Sequence, residues 1–133
     1  MTVVAWVFAL ITALVHIIVF TWESLLIERR GIHEVIFSVP AEDVPAIRLW
    51  TFGLGFYNLF LGLGLIAGVV AWGTGNETVG RTLVVYICAF LVLSGLVLFV
   101  ADRLGYSRRR GSQLMGALSQ GVPPLIALVA ILW

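Results

Sequence analysis

The sequence predicts an all-α protein, a polytopic integral membrane four-helix bundle with its termini outside and loops 1 and 3 cytoplasmic. Three observations predict it. Of 133 residues, 61% are hydrophobic and 11% charged, where a soluble domain carries about 25% charged residues. Four apolar runs each have the length a helix needs to cross a hydrocarbon layer of ~30 Å. The arginines are distributed unevenly: Arg29, Arg30, Arg48, Arg103, Arg108, Arg109 and Arg110 fall in or beside loops 1 and 3, and only Arg81 falls on the other side. Cytoplasmic loops collect positive charge, so this bias sets the orientation.

Other classes are excluded early. The net charge of +1 comes without a basic patch interleaved with aromatics, so no nucleic acid partner is expected. Cys88 is the single cysteine. It can form no internal disulfide and is expected to be a small apolar packing residue. No metal or nucleotide motif is present, and no cofactor is expected. The first apolar run lacks a positive n-region and a clear cleavage site, so it reads as a retained helix and not a signal peptide.

The four helices are expected at about 3–27, 45–72, 80–101 and 113–133, in one membrane domain spanning 1–133. Trp6 and Trp22 suit the aromatic belts at the two ends of helix 1. In loop 1, Ile32, Val35, Ile36 and Val39 share a helical face, and Pro40 disfavours helix before it. Residues 31–38 therefore read as a short interfacial helix with its apolar side on the membrane, or else as an ordinary connection. His33 reads there as a solvated surface histidine.

Helix 2 opens at Pro45, a good first-turn residue. Thr51, Gly55, Asn58 and Gly62 form one small, partly polar face. Gly53, Gly64, Ala67 and Ala71 form another, and Gly64 and Gly68 make a G-x-x-x-G. Small residues let membrane helices approach closely, so Gly55, Gly62, Gly64 and Gly68 are expected to be packing positions, against helices of the same chain or against another chain. Helix 3 is mostly Leu, Val and Phe, with Ser94-Gly95 its one soft spot, and reads as the most lipid-exposed helix. Helix 4 carries Pro123 and Pro124 in its interior. Each lacks an N–H, so the carbonyls of Ser119 and Gln120 lose their helical donors and a kink is expected.

The chemistry centres on His16 and Glu23, the titrating residues of the first apolar run. Ionisable groups inside a membrane segment are costly unless they face protein or water. By depth, His16, Glu23, Asn58 and Gln120 all belong to the cytoplasmic half. They are expected to form one polar pocket between helices 1, 2 and 4, with Tyr57 at its edge; these five are the candidate ligand-binding residues. His16 and Glu23 are seven residues apart, ~10.5 Å along a helix axis. They cannot bond directly, so Asn58, Gln120 or water must lie between them. Blander readings stand beside this one. Glu23 could reach the headgroups and pair with an arginine such as Arg48, and Asn58 and Gln120 could be interhelical glue.

The same residues carry a family resemblance. His16 with Trp22-Glu23, the stretch Gly55-Phe56-Tyr57-Asn58-Leu59-Phe60-Leu61-Gly62, and the ending Gln120-Gly121-Val122-Pro123-Pro124-Leu125 resemble the bacterial membrane family catalogued as domain of unknown function 1304, and more loosely the DoxX-like four-helix proteins. The chain departs from that pattern at Gly53-Leu54, where the family usually has Asn-Gln, and at Ser24-Leu25, where it has Met-Phe. The resemblance implies a four-helix protein of the bacterial inner membrane and no assigned activity.

Function is therefore expected to be binding or transport of a hydrophobic small molecule or lipid-like ligand, with Glu23 coupling it to a proton. The alternative is a non-catalytic accessory subunit of a larger membrane complex. An enzyme using His16 and Glu23 as acid and base fits least, and no catalytic residue is assigned. The expected partners are membrane lipid and a homodimer or larger complex, joined through the second glycine face of helix 2.

Overall fold

The computed structural model describes residues 2–133. It contains helices α1 (Thr2–Phe20), α2 (Val44–Gly73), α3 (Glu77–Arg103) and α4 (Leu114–Leu132), and no strand among the described residues. A π-helical turn, Thr21–Leu25, prolongs α1, and a 3-10 turn, Ala41–Asp43, leads into α2. All four helices are long and apolar enough to cross a membrane, and the chain is a multi-pass membrane protein. α3 begins three residues before the sequence places it, because the Asn76 side chain accepts the Val79 N–H at 3.4 Å and caps its first turn.

The helices stand in a ring in chain order. α1 packs on α2 and α4, and α3 packs on α2 and α4, while the diagonal pairs hardly touch. Between membrane helices the hydrophobic effect is weak, so packing depends on close backbone approach. On α1, Ala5, Ala9 and Ala13 repeat every fourth residue and are all buried. A Cβ added at Gly62 would lie 3.0 Å from the Ala13 carbonyl oxygen, which places that face of α2 against α1. The other glycine face meets α3: a Cβ at Gly64 would lie 2.7 Å from Ile87 Cδ1, and one at Gly68 would lie 3.2 Å from the Gly80 carbonyl oxygen. Gly62 thus packs on α1, and Gly64 and Gly68 on α3, while Gly53 meets nothing within 4 Å. Ala67, between Gly64 and Gly68, stays exposed. α3 crosses α4 where Gly95 meets Gly121, at a distance that would put a Gly95 Cβ 3.0 Å from the Gly121 N and Cα atoms.

One expectation about the helices changes. α3 is not the helix most given over to lipid: Gly80, Val84, Ile87, Cys88, Leu91, Gly95 and Asp102 are buried along it. Its Leu and Val residues supply much of the core shared with Ala9, Ala13, Leu65 and Ala127. Helix α4 continues through both prolines to Leu132, with Pro124 buried. The fixed proline φ is itself helical.

Loops 1 and 3 are organised by two buried polar residues. His33 is 4% exposed, not solvated. Its ring Nδ1–H donates to the Val39 carbonyl at 2.8 Å, and the Val39 N–H donates to the His33 carbonyl at 2.7 Å. Together these bonds close the reversal after the π-helical turn Gly31–Ile36, where Ser38 takes a φ of +57°. On the outer side of that turn Arg30 donates to Glu34 at 2.6 Å, a hydrogen bond that holds the Glu34 carboxyl below its ordinary range. Val35 and Ile36 are exposed beside it.

Asp102, at the end of α3, is 1% exposed. It accepts the Ser107 hydroxyl at 2.5 Å, the Gly111 N–H at 2.7 Å and the Gln113 N–H at 3.4 Å. Gly105 and Gly111 supply the positive φ angles that loop 3 needs to wrap this carboxylate. Gln113 Nε2 reaches the Phe37 carbonyl at 3.4 Å and ties loop 3 to loop 1. Hydrogen bonds to a charged acceptor contribute about 1.5–3 kcal/mol. Asp102→Ala is therefore expected to speed tryptic cleavage at Arg108–Arg110 roughly tenfold, by favouring local opening. An unchanged cleavage rate would show that loop 3 is held by something else.

The opposite end is closed by aromatic and cationic contacts. Trp6 meets Trp72 edge to face at 6.0 Å. Arg81 donates to the Ile131 carbonyl at 3.2 Å, a cation at a helix C-terminus, where the macrodipole favours it.

Candidate functional site

The polar cluster forms where α1 leaves its regular geometry. Thr21 hydroxyl donates to the Ile17 carbonyl at 3.0 Å, and Leu26 N–H reaches the Thr21 carbonyl at 3.1 Å, closing a five-residue turn in place of a four-residue one. π-helical turns are rare and concentrate at functional sites. This one carries Glu23 and Ser24 toward α2, where Ser24 hydroxyl donates to the Phe52 carbonyl at 2.9 Å. The approach depends on Gly55: any Cβ there would press on the Ser24 hydroxyl and lie 3.2 Å from both Glu23 Cβ and the Phe20 carbonyl oxygen. Three residues beyond Gly55, Asn58 enters the same interface.

Asn58 joins the two titrating residues. Its Nδ2 donates to Glu23 Oε2 at 2.9 Å and to the Leu54 carbonyl at 3.1 Å, and its Oδ1 lies 2.7 Å from His16 Nδ1. Two acceptors fix the amide nitrogen, so the amide oxygen must face the histidine. An oxygen that only accepts there requires the proton on Nδ1. In the neutral ring, Nε2 is then a bare acceptor. His16 is 1% exposed, and its Nε2 is buried without a hydrogen-bond partner.

Of the five residues read from sequence, His16, Asn58 and Glu23 are brought together by direct hydrogen bonds. Tyr57 is 64% exposed and, among the described residues, makes no hydrogen bond to the cluster. Gln120 is half-buried on α4 and, among the described residues, has no hydrogen bond to the other three. α2 and α4 lie across the diagonal of the ring, so Asn58 and Gln120 sit on helices that hardly touch each other, while α1 packs on both. Glu23 does not pair with Arg48, which pairs with Glu28 nearer the loop. An aromatic row lies beside the cluster, with Phe56 5.0 Å from Phe20 and 5.1 Å from Phe52.

Chemically the cluster offers a buried histidine acceptor, a carboxylate, and a neutral amide that orients both. The hydroxyls beside it, Thr21 and Ser24, each donate to a backbone carbonyl. Among the described residues no three His, Cys, Asp or Glu side chains gather closely enough to hold a metal ion. Three surface grooves lie elsewhere, and none is lined by His16, Asn58 or Glu23.

His33 and Asp102 escaped the sequence reading as organising residues. Asp102 sits at the junction of an apolar helix and an arginine-rich loop, where an acidic residue resembles ordinary surface charge; the glycines at 105 and 111 were the available signal. The Ala5, Ala9, Ala13 repeat was legible as a small-residue stripe and was passed over.

No curated protein and no solved structure matches the chain. The profile of the family described as Protein of unknown function (DUF1304) matches residues 10–132. That span includes all three segments on which the sequence resemblance rests, and with nearly its whole length matched the chain belongs to the DUF1304 family.

Proposed function

We propose that this DUF1304 protein binds a hydrophobic or lipid-like small molecule at the α1–α2 interface and carries it within the bacterial inner membrane. The loops between α1 and α2 and between α3 and α4 face the cytoplasm in this reading, in keeping with the arginine bias. One observation carries the proposal: His16 Nε2 is a buried acceptor without a partner, beside a half-buried carboxylate already oriented by Asn58. An unpaired buried polar atom is costly. A hydroxyl or amine on an otherwise apolar ligand would satisfy it, and Glu23 would take the second polar contact. Uptake or release of a proton at Glu23 would then accompany binding. The aromatic row of Phe20, Phe52 and Phe56 would line the apolar part of the path.

The accessory-subunit reading has less support, since the glycine face it would use packs on α3. The test is native mass spectrometry of the protein released from membranes in mild detergent, with solvent extraction of whatever accompanies it. Wild type should carry a lipid-soluble molecule. Glu23→Gln keeps the bond from Asn58 and removes only the charge, and His16→Leu removes the acceptor. Each should lower occupancy by about tenfold or more, the scale of one charged or buried hydrogen bond. Wild type free of any bound molecule, or equal occupancy in Glu23→Gln, would sink the proposal. A stoichiometric larger protein in its place would favour the accessory reading. A C-terminal reporter should be active outside the cytoplasm; activity inside it would reverse the orientation.

A further inference from the structure

We propose a second ligand site, for a zwitterionic phosphoethanolamine group, in the groove between loops 1 and 3. The groove encloses about 670 Å³, within the ~300–1,000 Å³ range of small-molecule sites. One wall is the turn that starts α2, with Glu42 and Asp43; the other comes from loop 3, with Arg108. Among the described residues none of these three charges lies within 4.0 Å of an opposite charge, a state Arg108 shares with Arg29, Arg103, Arg109 and Arg110; what sets Arg108 apart from those four is its place in the groove wall opposite Glu42 and Asp43. Glu42, Asp43 and Arg108 thus share one groove and leave each other unpaired, while a third carboxylate in its lining, Asp102, is already occupied by Ser107, Gly111 and Gln113. The floor between them is apolar, with Ile47 from α2 and Leu98 from α3.

A ligand that fits must carry both signs of charge and an apolar continuation. An ammonium would meet Glu42 and Asp43, a phosphate would meet Arg108, and acyl chains would leave over Ile47 and Leu98. The groove lies where α2 starts and α3 ends, so it stands at headgroup depth. Its walls are held in place by bonds that do not involve the three charges: Asp102 anchors loop 3, and Gln113 ties it to Phe37. A purely anionic headgroup would satisfy Arg108 and oppose the two carboxylates. A cationic one would do the reverse.

The experiment is native mass spectrometry of the full-length protein titrated with phosphatidylethanolamine, phosphatidylglycerol or diacylglycerol of matched chains. Phosphatidylethanolamine should be retained about fivefold over either competitor, the scale of one exposed ion pair at each end. The double variant Glu42→Gln, Asp43→Asn should erase the preference over phosphatidylglycerol, and Arg108→Gln the preference over diacylglycerol. All three side chains are exposed and Asp43 makes no capping bond, so the fold should survive; circular dichroism checks this. Soluble glycerophosphoethanolamine distinguishes the source. Competition by it assigns the groove to a free zwitterion, and its failure beside retained lipid assigns the groove to a headgroup. Equal retention of all three lipids, or a preference unmoved by both variants, overturns the proposal.

Discussion

Gly80→Ala is expected to destabilise the bundle by ~3 kcal/mol, the upper part of the range for overpacking a fitted interface. A Cβ at Gly80 would collide with the Trp72 backbone nitrogen and lie 2.6 Å from both the Gly68 carbonyl oxygen and Trp72 Cα. All of these are backbone atoms, so no rotamer change relieves the contact. α3 would have to move off α2, and the Trp6–Trp72 contact would loosen with it. Gly64→Ala meets only the end of the Ile87 side chain and should cost less, under about 1.5 kcal/mol. Gly53→Ala meets nothing within 4 Å and should be neutral or slightly stabilising, since alanine is the better helix former by ~1 kcal/mol. Denaturant titration in detergent, followed by circular dichroism, would rank the three. A Gly80→Ala midpoint equal to that of Gly53→Ala would mean that the two helices are not in contact at Gly80.

Asn58→Leu is expected to be the most damaging single change within the polar cluster. It removes the acceptor of His16 Nδ1–H and a donor to Glu23 together, leaving both in an apolar interface. Buried unsatisfied groups cost about 1–3 kcal/mol each. Relaxation in the membrane reduces this, since measured interhelical bonds there average nearer 0.6 kcal/mol. A loss of ~2 kcal/mol is the expected balance. The triple variant His16→Phe, Glu23→Leu, Asn58→Leu removes every member and should recover most of it, because an all-apolar interface leaves nothing unpaired. If the triple variant is less stable than Asn58→Leu alone, the three side chains are not one hydrogen-bonded unit.

Helix number and span were legible because hydrocarbon thickness imposes a length on apolar runs, and turns such as Gly73-Thr74-Gly75-Asn76 interrupt them plainly. The seven-residue interval between His16 and Glu23 was also informative: it excluded direct contact and left Asn58 among the few groups able to lie between. Helix adjacency was not legible. Gln120 has the depth of the cluster but sits on α4, across the ring from Asn58, and depth alone carries no information about direction around a bundle. Helix 3 misled for a related reason. In a membrane, Leu and Val suit the lipid face and the core equally, so composition does not separate the two. Loop 3 hid its organisation because a carboxylate that collects backbone N–H groups looks, in one dimension, like any acidic residue beside arginines.

The ring order of the helices bears on how the chain is made. His16, Glu23 and Asn58 all lie in the first hairpin, and α1 packs directly on α2. Helix α1 alone would present a histidine and a carboxylate to lipid, an unfavourable segment to release from the insertion machinery. Asn58 emerges on the very next helix and can cover both before α3 has been synthesised. Insertion of the first half thus need not wait for the second, and the last contact to form, α4 against α1, closes a ring whose polar groups are already shielded.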